Sequence, residues 1–339
     1  MEEGGHYYTV YVSSLAAGFA EDVAYRQAVL AQMPDEVSWL DAANLHIKAC
    51  LSQRETDLLN HQRLVPLEWR YVIEYGLHSL PGRQLPATSH RSAYQRQYTS
   101  EALLQESPVS LRFGLLLHRL GDTFAHSVMG RETNMYTVSE SDKCLLTNYG
   151  NSFGHGHDGH SPDYPFLRKD LFFSYLEQLY NILSRKAQEP ASRVYRRAGA
   201  PRPYHAVRAM FSEVFDRLAR RVQLYDHQSR MFAIQAGGVP SPFSMVNNEK
   251  KATWLIEELR LASRREMNIT LKPYSPEKDE GMTLQEFLRR HPELEKLQVN
   301  DQHISDTVRS MMPEGYSTAT RGLRESPPPV IPDYMPMIP

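Results

Sequence analysis

Apolar residues recur along this chain at intervals of three and four, and no stretch alternates every second residue in a way that reads as a strand. Tyr8, Val12, Leu15 and Ala16, followed by Val23, Ala24, Ala28, Leu30 and Ala31, predict helix over residues 7–31 with a break at Gly18-Phe19. Pro34-Asp35-Glu36 is expected to end it. Further helices are expected from Trp39 into Leu59 and from Leu67 through Tyr75, the latter closed by a turn over Gly76–Gly82. Residues 90–106 read as a polar helix. Pro108 fits the first turn of an apolar helix continuing to about Met129. Beyond a long interruption, helical spacing returns over Phe166–Ala187, Tyr204–Ile234, Glu249–Met267 and Leu284–Leu297.

The interruption, residues 130–165, is rich in Gly, Asn, Ser, Asp and His. A connection of that length inside a compact domain is uncommon unless function or ligation ties it down. The last residues, from Ser326 to Pro339, carry repeated prolines and read as an extended tail, either free or a docking strip for a partner. The expectation is an all-α protein: a core over 1–190, a helical extension packed on it over 191–312, and a proline-rich tail over 313–339.

Composition narrows the function classes. The 339 residues suffice for one large domain or two smaller ones, and a formal net charge of −2 offers no general polyanion-binding surface. No apolar run is long enough for a transmembrane helix. The first residues show neither a basic segment nor a leading apolar run, which argues for a cytoplasmic protein as synthesised, with signal-independent export as the alternative. Cys50 and Cys144 make neither a disulfide framework nor a thiolate zinc site, although one bridge or two reduced thiols both fit. Arg193, Arg196, Arg197, Arg202 and Arg208, like Arg217, Arg220 and Arg221, read as solvated charge. Trp69, Tyr71, Tyr75 and Tyr94 read as core. Neither a Gly-x-Ser-x-Gly elbow nor a Walker loop is present.

The chemistry concentrates in two places. His118, Asp122 and His126 are spaced every four residues, so on a helix they form one stripe. Leu115, Leu116, Leu117, Leu120, Phe124 and Ala125 make that helix apolar nearly all round, so it reads as buried. Two buried imidazoles and a buried carboxylate are costly without partners, and a metal ion satisfies all three. The second place is Gly154–Asp163, which carries His155, His157, Asp158, His160 and Asp163. Hydrolysis at clustered zinc needs several histidines, a bridging carboxylate and a position left for water. Near helix ends and turns, His6, Asp35 and His78 add candidates.

This ordered set, His6, Asp35, His78, His118, Asp122, His126, His155 and Asp163, resembles the zinc-dependent phospholipase C and single-strand-specific nuclease superfamily. The phrases His6-Tyr7-Tyr8 and Gly154-His155 through Pro162-Asp163 look closest to an uncharacterised bacterial branch of it. The resemblance covers about residues 1–190. It implies an all-helical fold with two or three zinc ions and phosphodiester hydrolysis, of a phospholipid or a nucleic acid, by metal-bound hydroxide. Under it, Asp122 bridges two ions, His78 and His118 complete one site, His6 serves the second, and His126, His155 and Asp163 hold a third. Asp35 acts as general base or as a neighbour of the ligands. The spacing does not choose among His155, His157 and His160, or between Asp158 and Asp163. The Asp122–His126 gap is shorter than the superfamily's usual one, and residues 1–5 precede His6. Two alternatives accompany the hydrolase reading: a non-enzymatic, metal-stabilised scaffold that binds a protein partner through its tail, and an antibacterial effector using the same site.

Overall fold

The computed structural model describes residues 3–42, 67–80, 92–127, 163–236, 239, 244, 246–274 and 282–312. These residues are helical in the main, with no strand among them and only two isolated bridges, Phe19 with Arg196 and Val37 with Met282. The expected all-α class is what the chain adopts.

A π-helical turn, Gly4–Tyr8, runs directly into α1, Thr9–Ala17. All nine residues of α1 are buried, as its lack of a polar face requires. Gly18 ends it with a positive φ of 105°, and the Gly18 and Phe19 amides close onto the Leu15 and Ser14 carbonyls. The break expected at Gly18-Phe19 is therefore a left-handed glycine cap. After it comes α2, Glu21–Glu36. Pro34 lies inside the last turn of α2 and does not end it at that point, so Asp35 is still helical. A proline near a helix end removes a single hydrogen bond, that to the carbonyl four residues back, and the packing around Leu30 and Ala31 outweighs this loss.

Helix α3 spans Leu67–Gly76 and α4 spans Ser92–Gln105, both close to expectation. Helix α5, Leu111–Ala125, carries the His-Asp stripe. Its N-cap is Ser110, whose hydroxyl accepts from the Phe113 amide at 3.1 Å, so Pro108 lies before the helix and not in its first turn. It ends at Ala125, short of Met129, and His126 is its C-cap. Helix α6 is Lys169–Gln188, α7 is Tyr204–Gln235 and α8 is Asn248–Met267. The stretch expected as one helix over Leu284–Leu297 divides into α9, Leu284–Arg290, and a 3₁₀ turn, Pro292–Leu297. Pro292 disfavours helical geometry at the preceding residue, and His291 sits at φ −122°, ψ 64°. A further helix, α10, Asp301–Ser310, had not been expected. Its cap was legible: Asn300 accepts from the His303 amide at 2.9 Å, ahead of buried Ile304 and Val308.

At the centre, α5 packs on α2, α4 and α6, and α1 packs on α2 and α6. One hydrophobic cluster extends from Tyr7 to Met311. The α2–α5 contact is very close: a Cβ added to Gly114 would fall 2.2 Å from the Leu30 Cβ. Glycine at this position lets α5 approach α2, and it does so one turn before His118. Fully buried Arg119 ties α10 to the same region. It donates to the carbonyls of Gly76, at the end of α3, and Met311, at the end of α10, and lies beside the Tyr75 and Tyr98 rings. A guanidinium at two helix C-termini is electrostatically favoured by both helix dipoles.

Of the arginines read as solvated, Arg196 donates to the Ala187 carbonyl, Arg208 lies over Phe173, and Arg217 and Arg221 pair with Glu213 and Glu257. Cys50, Cys144, most of the interruption over 130–165, the proline-rich tail and most of the helix expected after Trp39 lie outside the described residues.

Candidate metal centre

Four elements supply the cluster. The π-helical turn carries His6, the last turn of α2 carries Asp35, the residues after α3 carry His78, and α5 carries His118 and Asp122. A π-turn spreads its carbonyls over an additional residue, and the Tyr8 amide reaches Glu3 O at 3.1 Å; such turns recur at functional sites. Gly18 sends the chain from α1 back through α2, which brings Asp35 and His6 to the same end of the bundle.

Asp122 is the hub. Its Oδ1 lies 3.1 Å from His6 Nε2, and its Oδ2 lies 3.1 Å from His118 Nε2 and 3.2 Å from His78 Nδ1. The carboxylate thus divides its two oxygens between two sets of imidazoles, the arrangement a bridging ligand requires. Asp35 stands farther from the same ring nitrogens, with oxygens 3.7 Å from His118, 3.8 Å from His6 and 3.9 Å from His78. Two overlapping triads have ligand atoms close enough to surround an ion: His6, His118 and Asp122, and Asp35, His78 and His118.

The tautomers of two rings follow from their outer hydrogen bonds. His118 Nδ1 lies 2.8 Å from Ala31 O and His78 Nε2 lies 2.8 Å from Leu40 O. A carbonyl only accepts, so those ring nitrogens donate. In each neutral ring the other nitrogen is then an unprotonated lone pair turned inward, and the two inward nitrogens are 3.2 Å apart. Backbone carbonyls orienting a ligating histidine through its far nitrogen are a recurrent feature of metal sites. His126 performs a related task, donating from Nδ1 to His78 O at 2.7 Å, so it holds the backbone that presents His78. The rings of His6 and His118 stack at 4.0 Å, and His78 meets His118 edge-on at 4.8 Å.

Burial sets the electrostatics. His6, His118 and Asp122 are almost completely enclosed. Burial pushes the His118 imidazole down to about 4 and His6 well below its ordinary value, so both are neutral at pH 7. Burial alone would raise Asp122, but neighbouring positive charge outweighs it and holds the carboxyl well below the usual range. Asp35 goes the other way, pushed well up by desolvation and by the carboxylates of Asp122, Asp41 and Asp163. Its side chain is 29% exposed, which makes Asp35 the point where the cluster meets solvent.

Of the residues singled out from sequence, His6, Asp35, His78, His118 and Asp122 therefore converge. His126 and Asp163 are buried at the margin, close enough to influence Asp122 and Asp35 respectively, and belong to neither triad. His155, His157, Asp158 and His160 lie outside the described residues. Sequence reasoning passed over the carbonyls of Ala31 and Leu40, which carry no side-chain signal. It also passed over Tyr175 on α6, whose hydroxyl lies 3.5 Å from Gly5 O and whose ionisation is opposed first by burial and then by Asp122. Nothing in the apolar spacing of α6 distinguishes that tyrosine from its core neighbours.

A family model spans residues 1–237. The chain belongs to the DUF6765 family. The family is described as one of unknown function, and its match takes in all of the converging residues together with α6 and α7. No curated protein and no solved structure gives a significant match to the chain.

Proposed function

We propose that this protein is a metal-dependent hydrolase of phosphodiester bonds, built around a multinuclear, zinc-type centre. The observation that carries the reading is the convergence of the inward lone pairs of His78 and His118 on one oxygen of Asp122, while His6 meets the other. Like-signed acceptor atoms this close, enclosed away from water, repel one another unless cations lie among them. Imidazole and carboxylate donors of this kind suit zinc.

His78 and His118 would hold one ion and His6 a second, with Asp122 offering one carboxylate oxygen to each; the single inward lone pair of His118 serves one ion only. A third, on His126, His155 and Asp163, rests on the superfamily resemblance alone. Ions held there supply Lewis acidity toward a phosphoryl oxygen and bring the pKa of water toward neutrality.

The chain's own residues divide the remaining work. Asp122, kept ionised in the interior, holds the imidazole sets in register. Ala31 and Leu40 fix the tautomers of His118 and His78. Asp35, partly open to solvent and with its carboxyl raised, is placed to accept a proton from water entering the cluster. A pair of carboxylates pushed in opposite directions is the usual division between a fixed charge and a proton acceptor. The exposure of Asp35 favours an accessible site over a sealed structural one.

The test is metal content and hydrolysis of bis(p-nitrophenyl) phosphate, measured together on wild type and Asp122→Asn purified without chelator or histidine tag. Two or three zinc equivalents and turnover in wild type, both lost in the variant, support the reading. One equivalent or less, unchanged in the variant, overturns it in favour of a structural or binding role.

A further inference from the structure

Helix α7 outruns its partner. Its lower part buries Val207, Met210, Phe211, Val214, Phe215 and Leu218, and no residue after Leu218 in this helix is fully buried. The same stripe nevertheless continues: Phe211, Leu218, Tyr225 and Phe232 follow one another at seven-residue spacing. Arg221 pairs with Glu257 at 2.6 Å and the Tyr225 ring lies 5.7 Å from Trp254, so α7 and α8 are antiparallel neighbours in that register. Extended along both helices, this register sets Asn248, the first residue of α8, level with about Arg230. Met231–Gln235 therefore project about 8 Å beyond the end of α8, at about 1.5 Å per residue.

The projecting end is apolar and faces water. Phe232 is 73% exposed, Ile234 54%, Met231 45% and Val239, in the connection, 95%. From Met231 to Asn248 the sequence contains no charged residue. At the base of this end Lys250 lies 4.1 Å from the Tyr225 ring centroid, and both Arg221 and Lys250 lie over Trp254. An uncharged apolar tip above a level of tyrosine, tryptophan and cationic side chains is the profile of a segment that sits in a membrane interface. The tip would enter the acyl boundary while Lys250 and its neighbour Lys251 meet anionic headgroups.

We infer that the α7–α8 tip is a membrane-docking element that places this protein on anionic bilayer surfaces. The inference is independent of the metal centre: it rests on the far half of α7 and requires no catalysis. A protein groove would bury the same side chains without needing the aromatic and cationic level beneath them.

The test is flotation of the full chain with vesicles of phosphatidylcholine alone and of phosphatidylcholine with phosphatidylserine, at low and high salt. The comparison variants are Phe232→Ser/Ile234→Ser and, for the base, Lys250→Gln/Lys251→Gln. All four positions are largely exposed or partly so, and unchanged far-ultraviolet circular dichroism checks that the fold is retained. Wild type is expected to float with the anionic vesicles. The apolar double variant is expected to partition about tenfold or more weakly, since losing the burial of even one large apolar side chain is worth that much. The lysine variant is expected to lose the preference for phosphatidylserine and the salt sensitivity. Absence of wild-type flotation, or flotation unaffected by Phe232→Ser/Ile234→Ser, overturns the inference. So does concentration-dependent dimerisation, seen by sedimentation equilibrium and abolished by that variant, which would assign the tip to a second copy of the chain.

Discussion

His118 Nε2 and His78 Nδ1 face each other at 3.2 Å, and each ring donates from its other nitrogen to a backbone carbonyl. This pairing imposes a condition on the folded chain. With the His118 ring neutral and Asp122 ionised beside it, the interior holds a knot of acceptors, which a divalent ion relieves and a proton relieves less well.

Metal removal should accordingly destabilise the wild type. For a ligand present at 100 to 1,000 times its dissociation constant, the stabilisation is about 3–4 kcal/mol. Chelator should lower the wild-type unfolding midpoint and leave Asp122→Asn nearly unmoved, as read by urea melts with and without chelator. An equal response in the two proteins would show that the hub carboxylate is not a ligand.

The chelated protein should also show a particular dependence on pH. The His118 imidazole is lowered to about 4 in the fold from 6.5 in the unfolded chain, so between those values the unfolded chain binds the extra proton. Stability from this group is present above 6.5 and is lost as the pH falls toward 4. The full window is worth roughly 3 kcal/mol for a group this enclosed. Asp35 opposes it: a carboxyl raised in the fold binds the extra proton in the folded state above 3.8, and its contribution is lost as pH rises. The apparent slope between pH 4.5 and 6.5 should therefore be shallow in wild type, steeper in Asp35→Asn and reduced in His118→Gln. A His118→Gln profile parallel to wild type would contradict a neutral buried ring.

Asp35→Asn separates turnover from loading. Its amide keeps one oxygen toward the cluster but accepts no proton at neutral pH. Metal content should fall by less than in Asp122→Asn, while phosphodiester turnover should drop by about 10²–10⁴-fold, the range for loss of a general base. Unaltered turnover at full metal content would remove Asp35 from the reaction.

Gly114→Ala probes how the helix contact supports the site. The new methyl group meets Leu30 where no side-chain rotation clears it, and α5 must move away from α2. The expected loss is about 1–3 kcal/mol in urea unfolding, the range for overpacking. A drop in bound metal should accompany it, because the displaced helix carries His118 away from the Ala31 carbonyl. Retained metal stoichiometry at reduced stability would show that α5 shifts without breaking that hydrogen bond.

The sequence by itself determined the helices whose apolar residues repeat cleanly, and with them the all-α class. It also marked His118 and Asp122, because four-residue spacing acts within one helix and needs no partner to be read; His126, read as the third member of that stripe, is the helix's C-cap and belongs to neither triad. It was less exact where a neighbour decides the outcome. Pro34 is tolerated inside α2 by packing, α5 stops at His126, and His291-Pro292 divides a stretch that periodicity alone joins. His6, Asp35 and His78 were marked by their order along the chain, which fits a known pattern but specifies no distances. Their convergence on Asp122 depends on the Gly18 turn, the close α2–α5 approach at Gly114, and carbonyls of Ala31 and Leu40 that fix ring orientation. Those are contacts between segments up to 116 residues apart, and side-chain spacing along one chain carries no information about which backbone oxygen will stand behind an imidazole.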